Sequence, residues 1–266
     1  MSRGAVRFGW IAILFLIVSC ASTPTPSPHI TPLPTRMEPA DAAQNALAQV
    51  LSELDHDLTQ ARSLLVYLSN QSQVRSGSAS DCNEFVTPLL KANPQYTQIV
   101  VAKQNGDLFC ASGTNPTGIN VQDRLYFNRV LTTHDFSVGG YQVGRLSGQP
   151  SLGLAYPVLE NGSEVTGVII APFSLDWLAG RVSEVDIPVT GEIILLDTTG
   201  NIVLRDPDAT NWYGKNISQT PLANAMLTKI QGSGEFLGAD GEPRIYVFGS
   251  PPTSNKQLLV AVGIPK

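Results

Sequence analysis

Ile99-Val100-Val101-Ala102-Lys103-Gln104-Asn105-Gly106-Asp107-Leu108-Phe109-Cys110 and, 94 residues on, Ile193-Ile194-Leu195-Leu196-Asp197-Thr198-Thr199-Gly200-Asn201-Ile202-Val203-Leu204 read as one hairpin written twice. Gly106 and Gly200 align without a gap, and glycine at such a turn supplies the positive φ that a tight hairpin needs. Each hairpin is followed by a stretch of helical or loop character and then by three more strand-like runs. In the first half these runs cover about 136–145, 150–160 and 165–173, with turns at Ser147-Gly148 and Asn161-Gly162. In the second half they cover about 234–238, 244–249 and 257–264, broken at Asp240-Gly241 and Pro251-Pro252. The expected fold is α+β, a duplicated module of five antiparallel strands with flanking helices, rather than a solenoid, whose repeats are shorter and more numerous. Coincidence of common turn dipeptides in one larger antiparallel protein is the alternative.

Ahead of the hairpins, residues 38–80 are expected to carry a long helix. Apolar residues recur at Leu47, Leu51, Leu54, Leu58, Ala61, Leu65 and Leu68, alternating steps of four and three. That spacing draws one narrow stripe, suited either to packing along both sheets or to a homodimer seam with a second copy.

The N-terminus carries Arg3 and Arg7, an apolar stretch from Phe8 to Val18, and then Ser19 and Cys20. Eleven apolar residues are short of the roughly 20 that span a bilayer and fit a signal-peptide core. Ile17-Val18-Ser19-Cys20 resembles the bacterial lipobox, so residues 1–20 are expected to be a lipoprotein signal with Cys20 as the lipidated residue. An uncleaved membrane anchor is the alternative. Residues 21–37, rich in Pro, Ser and Thr, read as a disordered tether. This places the folded part in the cell envelope, lipid-anchored on the extracytoplasmic side of a bacterial membrane.

Without residues 1–19 the chain keeps 15 basic against 22 acidic side chains, a formal −7. No basic cluster exists to neutralise phosphates, which argues against a nucleic-acid partner. Cys82 and Cys110 remain after Cys20; an even pair in an exported protein is most simply a disulfide. Metal binding is the other reading, with His29, His56 and His134 scattered and no zinc-like spacing. No cofactor is expected.

The densest polar and aromatic cluster lies in the first half. Asp123-Arg124-Leu125-Tyr126-Phe127-Asn128-Arg129-Val130 can start a short helix capped by Asp123. In the strand after it, period-two alternation would put Tyr141, Val143 and Arg145 on one face, with Gly139, Gly140 and Gly144 leaving space beside the backbone. Tyr156 follows on the next strand. Arg124, Tyr126, Tyr141, Arg145 and Tyr156 are therefore the candidate ligand-binding residues, arginine for a carboxylate and phenol hydroxyls for orientation. Against this, Tyr126 and Phe127 could be core anchors and Arg145 a solvated strand end.

Asp123-Arg124-Leu125-Tyr126-Phe127, Val138-Gly139-Gly140-Tyr141-Gln142-Val143-Gly144, Ser147-Gly148-Gln149-Pro150, Ala155-Tyr156-Pro157-Val158 and Gly167-Val168-Ile169-Ile170, followed by Leu175-Asp176-Trp177-Leu178, resemble the double Cache sensor domains of bacterial chemoreceptors and sensor kinases. With the duplicated strands and the long helix, the resemblance covers about 38–266. It implies two PAS-like modules along the helix, a membrane-distal one over 81–183 that holds the ligand and a membrane-proximal one over 184–266. Amino-acid-sensing members add carboxylates for the ammonium. Here Phe127 replaces a tyrosine, Val143 stands where an Asp is expected, and Pro172 falls near the second acidic position. The pattern is more similar to carboxylate sensors, so a small organic acid is the expected ligand.

Catalysis is not expected: there is no GxSxG, HExxH, P-loop or dinucleotide fingerprint, and His134-Asp135 is the only local acid and base pair. Family members usually continue past the sensor into a second membrane helix and an output domain. The chain is therefore expected to be either a free-standing lipoprotein that signals through a separate partner or the input part of a longer receptor. A structural or adhesive envelope lipoprotein is the third reading.

Overall fold

The computed structural model describes residues 38–188, 190–238 and 240–266. The expected signal, Cys20 and the tether fall in residues 1–37, outside the described residues. Helix α1 (Pro39–Ser69) opens behind Glu38, with a proline in its first turn, where a missing N–H costs nothing. It stops at Asn70 rather than running on to residue 80. Two further helices follow, α2 (Ser72–Arg75) and α3 (Ala79–Ala92), the latter started by a reciprocal Ser78–Asp81 capping box.

The first sheet contains β1 (Val100–Lys103), β2 (Leu108–Ala111), β3 (Ser137–Val143), β4 (Pro150–Glu160), β5 (Glu164–Ile170) and the two-residue β6 (Phe173–Ser174). Its order is β2-β1-β5-β4-β3, with β6 added to β4, one short strand more than the sequence indicates. Helix α4 (Leu125–Thr133) crosses between β2 and β3, and α5 (Leu175–Val182) leads to the second sheet. That sheet contains β7 (Glu192–Asp197), β8 (Ile202–Asp206), β9 (Gly232–Leu237), β10 (Pro243–Gly249) and β11 (Leu258–Pro265), in the order β8-β7-β11-β10-β9. Helices α6 (Ala209–Trp212) and α7 (Pro221–Lys229) cross between β8 and β9. All pairings are antiparallel, and both first hairpins slip register at equivalent points, Val101/Ala102 and Leu195/Leu196. The duplication read from the hairpins is thus present strand for strand.

The apolar stripe of α1 lies against the chain's own two sheets: Leu47, Leu54, Leu58, Ala61, Leu65 and Leu68 are buried in one core with Val138, Leu152, Leu154 and Val158 of the first sheet and Val247, Val260 and Val262 of the second. Spent in this way, the stripe is not an exposed seam for a second copy. Truncating a buried leucine such as Leu58 would cost about 2–5 kcal/mol, the usual sum of lost transfer energy and residual cavity. Each sheet buries its other face under its own crossover helix, α4 with Phe127 and Val130, α7 with Leu222 and Met226. Cys82 of α3 and Cys110 of β2 form the disulfide, their Cα atoms 5.9 Å apart. Closing this loop, whose ends are 28 positions apart in sequence, contributes on the order of 3 kcal/mol.

Candidate functional site

The turn that defines the first hairpin also positions the site. Asn120 Nδ2 donates to the Asn105 carbonyl at 3.1 Å and to Asp107 Oδ1 at 2.8 Å, and Val121 N–H donates to the Gly106 carbonyl at 2.9 Å. A Cβ on Gly106 would sit 2.7 Å from the Gln122 nitrogen, so only glycine lets the crossover approach this closely. Anchored there, the chain lays Arg124 at the start of α4, beside the open end of the first sheet.

Between that helix start and the sheet lies a cavity of about 40 Å³. Arg124, Tyr126, Gln142, Thr97 and Gln98 line it together with the apolar Val100, Val121 and Ile170. No Asp or Glu lines it. Tyr126 is 4% exposed and its ring lies over two glycines of the sheet, since a Cβ on Gly153 would fall 2.4 Å from Cδ1 and one on Gly139 2.8 Å. Burial pushes the Tyr126 phenol up to about 12, with Arg124 and a hydrogen bond from Gln142 opposing the shift. The hydroxyl is therefore a neutral donor at any physiological pH.

The two arginines differ in what already holds them. Arg145 also lines the cavity, but it lies past the end of β3 and forks onto Asp123, Nη1 at 2.8 Å and Nη2 at 2.7 Å, while also donating to the Asn120 carbonyl. This pairing holds the Asp123 carboxyl below its ordinary range and raises Arg145. It also takes Asp123 away from the helix, whose N-cap is Arg124 with no side-chain cap. Arg124 donates to the Val143 carbonyl at 3.2 Å, and no carboxylate among the described residues is within ion-pair distance of it. Arg124 is thus a cation at the cavity without an ion pair among the described residues, its charge felt by the neighbouring Asp123 carboxylate.

Arg124, Tyr126 and Arg145 come together; Tyr141 and Tyr156 do not join them. The register between β3 and β4 slips between Val138 and Tyr141, which breaks the assumed alternation and turns Tyr141 to the α1 side of the sheet. There its ring abuts Gly214 and its N–H reaches Asp197 Oδ2 at 3.2 Å. Tyr156 packs against the same α1-side core, while its neighbour Ala155 belongs to the cavity-side core. Phe127 is fully buried in the core under α4, as an anchor. Asp135 pairs with Arg62 at 2.8 Å, so it is not an acid partner reserved for His134. Thr97, Gln98 and Gln142 were not singled out from the sequence; Gln98 could have been, because it stands two residues before Val100 and so on the same face. Among the described residues no group of three His, Cys, Asp or Glu could hold a metal ion.

Two like sheets strung along one helix, with a small cation-lined cavity against the first, are the build of a small-molecule sensor domain. The profile of the Cache domain, dCache_1, matches residues 39–266, and the chain belongs to that family. Cache domains are extracytoplasmic sensor domains of membrane receptors, and among the described residues no helix is long and apolar enough to cross a membrane. Sporulation kinase D of Bacillus subtilis (strain 168) is 23% identical over 120 residues, which is 45% of this chain and 23% of that protein. The match therefore spans less than a quarter of that relative. Among solved structures, the ligand-binding domain of the Pseudomonas aeruginosa PAO1 amino acid chemoreceptor PctB, in complex with L-Arg, superposes with a TM-score of 0.69 at 19% identity, covering 85% of this chain and 95% of that one. The sensor domain of the V. cholerae histidine kinase DctB gives 0.64 at 16% identity, covering 85% and 97%.

Proposed function

We propose that the chain is the extracytoplasmic input domain of a signalling system and binds a small organic carboxylate in the cavity of the first sheet. The observation that carries this is Arg124, a guanidinium without a carboxylate partner facing a cavity that has no acidic side chain. An amino acid would bring an ammonium into that space with nothing to compensate it, and an unpaired buried charge costs several kcal/mol. The amino acid held by PctB is thus not the ligand class for this cavity. Size agrees: about 40 Å³ holds about three waters, the bulk of a two- or three-carbon acid. Arg124 takes the carboxylate, Tyr126 and Gln142 orient it, and the Arg145–Asp123 fork closes the edge.

In this reading residues 81–183 form the ligand-holding, membrane-distal module and 184–266 the supporting proximal one. Residues 1–20 act as a lipoprotein signal ending at Cys20, residues 21–37 tether the domain to the membrane, and a separate signalling partner receives the output. The test is a thermal-shift panel of small carboxylates and amino acids on the purified chain. A ligand at one hundred times its Kd adds about 2.7 kcal/mol, a rise of roughly 5–10 °C for a domain of this size. Small carboxylates should give it and amino acids should not; the opposite pattern refutes the assignment.

A further inference from the structure

β3 is an edge strand, so the backbone groups along its outer side have no strand to pair with. Side chains take them instead, some from the cavity helix and some from the second half. From α4 and its cap, Arg129 Nη1 donates to the Val138 carbonyl at 3.0 Å and Arg124 Nη2 to the Val143 carbonyl at 3.2 Å. From the second half, Asp197 Oδ2 accepts from Tyr141 N–H at 3.2 Å, and Gln257 Oε1 from Val138 N–H at 2.7 Å and from the Ser137 hydroxyl at 3.0 Å. Arg129 also joins the two groups, because its Nη2 donates to Thr198 Oγ1 at 2.8 Å. Asp197 and Gln257 belong to one edge of the second sheet: Asp197 ends β7 and lies opposite Leu258 of β11.

Where these bonds meet, the register of β3 slips between Val138 and Tyr141, and the residues in the slip are Gly139 and Gly140. Their missing side chains leave room in two different directions. A Cβ on Gly139 would strike the Tyr126 ring at the cavity, and one on Gly140 would strike the Asp197 carboxylate of the second half. Two consecutive residues thus carry a cavity side chain and a second-sheet side chain against bare backbone.

We propose that this two-glycine slip is a conformational joint: Asp197, Thr198 and Gln257 position the α4 and β3 wall of the cavity, and a shift of that wall is felt at the β7–β8 turn. The joint goes beyond the ligand assignment and holds whatever the cavity binds. The turn does not absorb the shift. Asp197 is buried and also accepts from Thr199 N–H at 2.9 Å, the Thr199 hydroxyl at 2.6 Å and Asn201 N–H at 3.0 Å. The glycine backbone, free of side chains and already out of register, is where β3 bends most easily. Coupling of this kind is reciprocal, so loosening Asp197 disturbs the cavity wall as much as moving the wall disturbs Asp197.

The test is amide hydrogen exchange by NMR on the purified full chain without ligand, which reads local opening residue by residue. Asp197→Ala cuts the joint from the second sheet. Gln142 N–H, paired with Ser151 in the ladder, and Asn128 N–H, bonded to the Arg124 carbonyl, should then exchange at least about fivefold faster, the factor for one lost hydrogen bond. The amides of β5 should stay as in the wild type. Asn216→Ala loosens the same turn but makes no bond to β3, and should leave Gln142 and Asn128 unchanged. In the other direction, Tyr126→Leu alters the cavity side alone, and the Thr199 and Asn201 amides held by Asp197 should exchange about fivefold faster. If Asp197→Ala does not fold, Asp197→Asn, which keeps an acceptor oxygen, should speed Gln142 and Asn128 by about twofold or more. Exchange that quickens only at Thr199 and Asn201 in the Asp197 variants, equal quickening of Gln142 by Asn216→Ala, or unchanged Thr199 and Asn201 in Tyr126→Leu would each show that the halves abut without a joint. With no ligand present, none of these results bears on the carboxylate assignment.

Discussion

The crossover of each half is docked by the same device, and the two then part company within a few residues. In the second half Asn216 Nδ2 donates to the Thr199 carbonyl and to Asn201 Oδ1, both at 2.9 Å, and Ile217 N–H to the Gly200 carbonyl at 2.9 Å, repeating the Asn120 and Val121 contacts of the first. That shared frame lays Thr220 over Arg124, Leu222 over Tyr126 and Met226 over Val130. Thr220 caps α7 in the ordinary way, its hydroxyl accepting from Ala223 N–H at 3.2 Å, and Leu222 and Met226 pack with Ile194, Tyr246 and Phe248 into an apolar core. Arg124 caps nothing. One copy uses its helix start for stability, and the other gives up a cap, worth about 1 kcal/mol, to keep a cation free.

The strand before each hairpin diverges in the same sense. Where the first half has the neutral Gln98, the second has Glu192, fully buried, bonded by Arg205 Nε and Nη2 at 2.7 Å and by the Tyr246 hydroxyl, with Arg244 Nη1 at 3.7 Å. The second half thus buries a carboxylate at the position where the first has a neutral amide lining its cavity.

The largest effect should follow from breaking that internal group. Glu192→Ala leaves two buried guanidiniums without their shared carboxylate and should destabilise the protein by about 3–5 kcal/mol, read by urea unfolding; a loss under 1 kcal/mol would mean that the cluster is solvated and the contrast false. Next comes the disulfide, which staples the first half alone: replacing Cys82 and Cys110 by serine should cost about 3 kcal/mol, and an unchanged midpoint would show that the two thiols are not joined. Arg124→Thr converts the first half toward the second. A gained cap should raise stability by about 0.5–1 kcal/mol in thermal melts without ligand, and a loss would show that Arg124 is structural. The smallest effect concerns acid. Arg244 grips Asp240 at 2.6 Å and holds its carboxyl well below the ordinary range. Such a group stabilises the fold above its unfolded pKa, near 3.9, and loses that contribution as pH falls toward its folded value. Asp240→Asn should therefore flatten the acid limb of a stability profile below about pH 4, where the wild type keeps falling.

How far the sequence could be read depended on how local each signal was. The hairpins, strands and crossovers were legible because turn glycines and apolar runs act over a few residues. The stripe on α1 was equally legible, but its partner was not, since an apolar face looks the same whether a sheet or a second helix covers it. Tyr141 and Tyr156 were misplaced for a specific reason: period-two reasoning fails across the Gly139-Gly140 slip, and a strand between two cores has apolar residues on both faces. Glu192, Arg205 and Arg244 come from three strands, β7, β8 and β10, and nothing in their spacing joins them.

The contrast between the halves reduces to one free cation, and one titration tests it. Calorimetry of the purified chain with a three-carbon carboxylate, wild type against Arg124→Thr, should give saturable heat for the first and none for the second, with no heat for an amino acid of the same size in either. Equal binding by both proteins, or binding of the amino acid by the wild type, would contradict the assignment of the first sheet's cavity as a carboxylate site.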